Sequence, residues 1–309
     1  MELSIICPVY NESACIDAFY QSLRQTLEQL GTSYEIVFVN DGSTDNSLEI
    51  LRERVLVDEH VRILNFARNF GHEAGMIAGI DYSRGDAIIC MDSDLQHPTE
   101  MIPSMVQRWR EGFDIVNMVR TRREDDKPLH RFSSAMFYKL VNLISDVKIA
   151  ENASDFFLIS RQVAQVLKTD YRERTRFLRG LIQLVGYKRT TLEYVAAPRM
   201  AGESKYSFWK LLKLSFSAIS SSSKMPLQIG IFAGLFFVLL SVLLIVYSVV
   251  MWVLKTPVSG YTTLIVFMCA FAGIQLLVTG MMGLYIGYIF DEVKGRPIYV
   301  VKEVVDYEK

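Results

Sequence analysis

The 309-residue chain carries almost no net charge, −1 from 33 Lys and Arg against 34 Asp and Glu. A balance that close speaks against nucleic acid as a partner, since phosphate binding calls for a basic excess. Cysteine is scarce. Cys7, Cys15, Cys90 and Cys269 show neither paired nor metal-ligand spacing, which argues against a disulfide framework or a zinc site and fits a reducing compartment or burial. A cleavable signal peptide is not expected, because Met1-Glu2-Leu3-Ser4 leads straight into a β-type run. Charge is missing altogether from two long stretches, one between Lys224 and Lys255 and one between Lys255 and Asp291. Each exceeds the roughly 20 apolar residues that a bilayer span needs.

What is present begins with Ile88-Ile89-Cys90-Met91-Asp92-Ser93-Asp94-Leu95-Gln96-His97-Pro98. An apolar run reads as a buried parallel strand, and Pro98 prevents it from continuing. Alternation at its end puts Asp92 and Asp94 on one side. Two carboxylates so close repel unless a cation lies between them. Hard oxygen ligands with open positions suit Mg²⁺ or Mn²⁺, ions that commonly also hold phosphates. An Asp-rich turn after a strand is the plainer alternative.

The first two-thirds alternate strands and helices. Strand patterns cover 3–9, 34–39, 61–66, 114–119, 156–159 and 187–195, and helical spacing of Ile16, Phe19, Leu23, Leu27 and Leu30 ends at Gly31. Further helices are expected at 46–53, after His72, at 99–110 and at 130–144. Ala74, Gly75, Ala78 and Gly79 suit close packing on a sheet. This order predicts βαβ units and a mainly parallel sheet with right-handed crossovers. Ligands then sit beyond the carboxyl ends of the strands, a rule that gathers Glu12, Asp41, Asp92 and Asp94 on one rim. Asp41 in Asp-Gly-Ser also fits an ordinary turn, and Glu12 a first-turn helix acid. Arg120-Thr121-Arg122-Arg123 follows a strand end and faces the acid rim. Asp155 falls at an element boundary. Arg199, Gly202, Ser204 and Lys205 make a phosphate clamp or a hinge.

Lys205, Lys210, Lys213 and Lys224 precede the apolar stretches, Lys294, Arg296 and Lys302 follow them, and only Lys255 lies between. Positive-inside bias puts the N-terminal domain and the tail in the cytoplasm. Residues 207–223, with lysines among Phe208, Trp209, Leu211 and Leu212, suit an interfacial helix. The expected organisation is a domain over 1–206, an interfacial helix over 207–224, a membrane hairpin over 225–290 and a tail over 291–309. Gly273, Gly280, Gly283 and Gly287 suggest a stripe for helix packing, and Ile298 to Val301 a short strand. Both features are compatible with a homo-oligomer.

Five motifs together resemble the family 2 inverting glycosyltransferases: Pro8-Val9-Tyr10-Asn11-Glu12, Asn40-Asp41-Gly42-Ser43, Arg68-Asn69-Phe70-Gly71, Asp92-Ser93-Asp94-Leu95-Gln96 and Ala201-Gly202-Glu203-Ser204-Lys205-Tyr206. The likeness runs end to end and is to the polyprenyl-phosphate branch. It implies an α/β GT-A domain, mixed but mainly parallel, followed by an interfacial helix and two membrane helices. It implies a nucleotide-sugar donor, a polyprenyl phosphate acceptor and Mg²⁺ or Mn²⁺. Pro8, Tyr10, Glu12, Asp41 and Asp92 would hold the nucleotide-sugar. Asp92, Asp94 and Gln96 would surround the metal. Arg120, Arg131, Arg199, Ser204 and Lys205 would meet phosphates. Asp155, Asp94, Arg120 and Arg131 would serve turnover, with Asp155 as base or sugar-orienting group. Relatives often read Asp-Phe-Arg where this chain has Asp155-Phe156-Phe157. The Gln-x-x-Arg-Trp of processive members is absent, which disfavours a polymerising synthase. The implied reaction moves one sugar, glucose from UDP-glucose, to undecaprenyl phosphate at the cytoplasmic face of a bacterial plasma membrane. Mannosyl transfer from GDP-mannose is the alternative within that class. A non-catalytic membrane interaction protein on a transferase-like domain is the alternative outside it.

Overall fold

A computed structural model describes residues 1–121, 153–174, 178–195, 225–254 and 260–307. They fall into two compact units, one built from the residues before 196 together with 296–307, the other from 225–254 and 260–295.

The first unit is an eight-stranded sheet with helices on both faces. In chain order it comprises β1 (Leu3–Val9), α1 (Ile16–Leu30), β2 (Tyr34–Asn40), α2 (Ser47–Val57), β3 (Val61–Phe66), α3 (His72–Tyr82), β4 (Ala87–Cys90), a 3₁₀ turn (Thr99–Met101) running into α4 (Ile102–Arg110), and β5 (Ile115–Arg120). Then follow β6 (Ala153–Ser160), α5 (Arg161–Thr169), α6 (Leu178–Leu184), β7 (Arg189–Tyr194) and, after the apolar hairpin, β8 (Val301–Val305). The strand order is β7-β5-β6-β4-β1-β2-β3-β8. The four strands β4, β1, β2 and β3 run parallel, β6 is antiparallel to β4 and β5, β7 is parallel to β5, and β8 is antiparallel to β3. The sheet is therefore mixed and mainly parallel, as the alternation of elements predicts. The seven residues of β1 and of β2 are all buried, because helices cover both faces. One core lies under α1, α2 and α4, with Phe19, Tyr20, Leu23 and Phe38 at its centre. The other lies under α3, α5 and α6.

The small residues of α3 do what their spacing suggests. A Cβ at Gly79 would lie 2.0 Å from Ile6 Cγ2, and one at Gly75 3.2 Å from Pro8 Cβ, so α3 rests almost directly on β1. Two expectations shift. Strand β6 begins at Ala153, so Asp155 sits inside a strand rather than at its edge. The strand expected at Ile298 to Val301 instead spans Val301–Val305.

That last strand makes the tail part of the sheet. Val301 pairs with Phe66 and Val305 with Ile63. Tyr299 stacks on Phe66 at 5.4 Å between ring centroids, and its hydroxyl donates to Asp81 Oδ2 at 2.6 Å. Arg62 donates to buried Glu35 and to Asp306. The chain leaves the sheet after Tyr194, at the carboxyl end of β7, and re-enters at Val301, beside the carboxyl end of β3. Both points lie on the rim formed by the carboxyl ends of the parallel strands, at its opposite extremes.

The second unit is a pair of long helices, α7 (Met225–Val253) and α8 (Tyr261–Val293). Gly230–Met251 and Ala270–Val293 are long and apolar enough to cross a bilayer. A Cβ at Gly273, Gly280, Gly283 or Gly287 would meet nothing within 4 Å, so the expected glycine stripe is not where these helices touch. The close contact is at Gly230, where a Cβ would lie 3.0 Å from Val278 Cγ1. The expected interfacial helix and the helix expected at 130–144 lie outside the described residues.

Tyr299→Ala removes a ring stack and a hydrogen bond that tie the tail to the sheet, and is expected to destabilise the first unit by about 2 kcal/mol. Tyr299→Phe, which loses only the bond to Asp81, is expected to cost about 1 kcal/mol. Thermal unfolding of the purified protein separates the two. Equal melting points for both variants and the native chain would show that the tail adds nothing.

Candidate active site

The site lies on the carboxyl rim, where β4 ends at Cys90 and the chain turns through Asp92 to His97. Ser93 is buried and its hydroxyl donates to the Pro8 carbonyl at 3.1 Å, while Asp92 and Asp94 on either side are partly exposed. The alternation expected from the sequence therefore holds beyond the strand's last ladder bond. Asp94 Oδ1 accepts from Gln96 N–H at 3.0 Å and Oδ2 from Gln96 Nε2 at 2.7 Å, which binds the amide to the acid. Leu95, at φ 64°, supplies the left-handed turn that lets the loop close.

Asp155, near the start of β6, is brought to the same place. Arg179 from α6 grips it with two hydrogen bonds, Nε to Oδ1 at 2.5 Å and Nη2 to Oδ2. His72, the first residue of α3, bridges the acids, its Nε2 3.2 Å from Asp92 Oδ1 and 3.6 Å from Asp155 Oδ2. Burial alone would raise the Asp155 carboxyl. The Arg179 hydrogen bonds and His72 overcome it and hold the group well below the usual carboxylate range. A carboxylate held that firmly as the anion is a poor proton acceptor near neutral pH. His72 shifts upward, because contacts with Asp155 and Asp92 outweigh its burial.

Asp92 is the unbalanced member. Burial pushes its carboxyl upward against the pull of His97 and His72, and the neighbouring charges of Asp155 and Asp94 push the same way. Its Oδ1 is buried without a hydrogen-bond donor, since His72 Nε2 stands close but off the bonding direction. An anionic oxygen without a donor, beside two further carboxylates, is the arrangement a divalent cation relieves. Among the described residues, no three His, Cys, Asp or Glu side chains converge as a complete ligand set. A hard cation here would take its remaining ligands from phosphate and water, as Mg²⁺ sites commonly do. The donor set fits such an ion.

Among the described residues, Tyr10, Glu12, Asp41 and Arg120 also stand at this rim. Tyr10 is 47% exposed at the end of β1. The turn from Asn11 to Ser13 interlocks with 43–47, where Asn11 N–H donates to Ser43 Oγ, Glu12 N–H to Ser47 Oγ and Ser13 N–H to Asp45 Oδ2. Pro8 is buried beneath α3, leaving its ring no face toward the rim's surface. Asp41 is 2% exposed, and its two oxygens accept from Phe70 N–H at 2.6 Å and Gly71 N–H at 2.9 Å. Its carboxylate thus anchors the Arg68 to Gly71 loop, a role its turn sequence did not announce. Gly42 beside it, at φ 66°, leaves no room for a side chain, as a Cβ would lie 2.6 Å from the Arg68 carbonyl carbon. Arg120 is exposed at the end of β5. Arg131, Arg199, Ser204 and Lys205 lie outside the described residues.

Residues 4–167 match the family model described as glycosyl transferase family 2. The chain belongs to that family. This glycosyltransferase is 41% identical over 304 residues to the SfII prophage-derived bactoprenol glucosyl transferase of Shigella flexneri, covering 98% of each protein. It is 41% identical over 309 residues to the prophage bactoprenol glucosyl transferase homolog of Escherichia coli, covering 98% of this chain and 99% of that one. It is also 42% identical over 307 residues to YkcC of Bacillus subtilis, an uncharacterized glycosyltransferase, covering 98% of this chain and 94% of that protein. Among solved structures, a mannosyltransferase from Pyrobaculum calidifontis, in complex with GDP-Man and Mn²⁺, superposes with a TM-score of 0.50 at 16% identity over 73% of this chain and 66% of that one. That likeness bears on the fold, which is GT-A.

Sequence reading missed Arg179, His72 and Glu73 as members of this transferase site. The histidine stands directly after the Arg68 to Gly71 motif, which was a usable signal. Arg179 had none, because it meets Asp155 only through the packing of α6. Glu73 is pushed up to about 7 from 4.5, mainly by burial and then by Asp155, although it accepts the Leu178 N–H. Between those two pH values the folded state keeps a proton that the unfolded chain has released, so stability falls as pH rises through the window. Glu73→Gln is therefore expected to melt higher than the native protein at about pH 8, with the difference vanishing below about pH 4.5. A pH-independent difference in melting temperature would contradict that burial.

Proposed function

We propose that the protein transfers one glucose from UDP-glucose, with inversion, to undecaprenyl phosphate at the cytoplasmic face of the bacterial plasma membrane. The observation that carries this reading is the extent of the similarity. The 41% identity to bactoprenol glucosyl transferases covers 98% of the chain, and so takes in the apolar hairpin as well as the rim. Two helices long enough to span a bilayer suit a lipid acceptor. The tail strand shares a sheet with β3, so a two-span hairpin that leaves and returns to one domain keeps that domain on one side of the membrane. The lysines flanking the hairpin favour the cytoplasmic side.

Asp92 and Asp94, with Gln96 bound to Asp94, are the residues to hold Mg²⁺ or Mn²⁺ beside the donor diphosphate. When bound, the ion supplies charge neutralisation for the leaving nucleoside diphosphate. Tyr10 and the interlocked turns at 11–13 and 43–47 form the nucleotide side of the rim. Arg120, with Arg131, Arg199, Ser204 and Lys205, draws the lipid phosphate toward the sugar. A phosphate monoester has a second pKa of about 6, so the acceptor is already largely dianionic and needs no strong base. Asp155, pinned by Arg179, suits orientation of the sugar and of His72 better than proton removal.

Membranes containing the protein, incubated with a panel of labelled UDP- and GDP-sugars, are expected to yield a polyprenyl-phosphate hexose from UDP-glucose, identified by mass spectrometry. Asp94→Asn is expected to abolish it. A product formed only from GDP-mannose would move the donor assignment, and no sugar lipid from any donor would leave the non-catalytic reading. Full turnover by Asp94→Asn with unchanged metal dependence would end the metal assignment.

A further inference from the structure

His97 closes the acid loop, and it is 6% exposed. Its Nδ1 accepts the Asp92 N–H at 2.9 Å. The ring hydrogen of the neutral imidazole therefore belongs on Nε2, which donates to Ser154 Oγ at 2.9 Å. The ring is stacked on Phe156, with centroids 5.1 Å apart and planes 16° from parallel, and meets Tyr194 edge-on at 5.9 Å. Ser154 Oγ in turn pairs with the Tyr194 hydroxyl at 2.8 Å and accepts the Phe156 N–H at 3.2 Å. The Tyr194 carbonyl accepts from both the N–H and the hydroxyl of Thr121, each at 2.8 Å. Polar contacts thus run from Asp92, after β4, through His97 and Ser154 in β6 to the Tyr194 hydroxyl in β7, and the main chain of Tyr194 separately holds Thr121, next to Arg120.

Two features separate this from an ordinary satisfied core histidine. Each ring nitrogen is committed to a segment that carries a site acid, one to Asp92 itself and one to the residue before Asp155. The Asp92 carboxylate makes no hydrogen bond at Oδ1, where His72 Nε2 stands 3.2 Å away, and its Oδ2 lies 3.6 Å from His97 Nε2. His97 therefore faces Asp92 twice, through the backbone bond that fixes its main chain and through this contact with its carboxylate. We propose that His97 is a positioning residue that, through Asp92 N–H on one side and Ser154 on the other, holds Asp92 where it can bind a divalent cation with a nucleoside diphosphate, at a fixed distance from Asp155. The proposal rests on the metal reading above.

The test is binding without turnover. Full-length protein in detergent is titrated with Mn²⁺ in the presence of UDP and no acceptor, with free Mn²⁺ followed by its electron paramagnetic resonance signal. His97→Phe keeps the stacked ring and loses both hydrogen bonds. It is expected to weaken Mn²⁺ binding by about tenfold, the scale typical of groups that orient metal ligands. His97→Asn puts an amide oxygen near the place of Nδ1 and is expected to recover most of that loss, which a general loosening of the core would not allow. Ser154→Ala cuts the second link and is expected to weaken binding by a few-fold. Native affinity in His97→Phe, with Asp94→Asn binding no Mn²⁺, would overturn the proposal and leave the metal reading standing. No recovery in His97→Asn relative to His97→Phe, when both melt like the native protein, would also overturn it. A native protein that binds no Mn²⁺ would overturn both readings together.

Discussion

Carboxylate repulsion governs the rim. Asp92, Asp94 and Asp155 come from two strand ends that the sheet places side by side, and their charges raise one another's cost of ionisation. The fold answers part of that cost with Arg179 and His72 on Asp155 and with Gln96 on Asp94. It leaves Asp92 Oδ1 without a donor. The unmet electrostatic cost of the rim is therefore concentrated on the Asp92 carboxylate.

The surrounding architecture serves to bring those acids together and keep them apart by a fixed amount. Gly75 and Gly79 let α3 lie against β1, which carries His72 to the rim beside Asp92. The antiparallel insertion of β6 between β4 and β5 sets Asp155 next to the end of β4. Asp41 gives up its carboxylate to secure the loop that leads into α3. The tail strand closes the far end of the sheet, so the described chain leaves the sheet and re-enters it at opposite extremes of the carboxyl rim.

Much of this was readable from residue order. Strands alternating with helices dictated a mainly parallel sheet, and the boundaries of β1 and β3 match the expected strands at 3–9 and 61–66 residue for residue. The rule that ligands bind beyond strand carboxyl ends put Asp92 and Asp94 on the rim, and local alternation put both on its open side. Two features were not readable, for a common reason. The turn sequence around Asp41 does not reveal which backbone amides will face it. The spacing of glycines in α8 does not say which of its faces meets α7, where Gly230 lies against Val278.

Short-range chemistry, then, was decided by the sequence itself: strand ends, an acid pair with its amide, left-handed turns at glycine, and two charge-free stretches long enough for a bilayer. Those features depend on neighbours within a few residues, where periodicity and steric preference act. Tertiary structure alone decided the partners of each charge. Arg179 reaches Asp155 across 24 residues, Ser154 reaches His97 across 57, and Tyr299 reaches Asp81 across 218. Contacts of that range follow from how helices pack on a sheet, and no local pattern in the chain encodes which side chains such packing will bring within a hydrogen bond of one another.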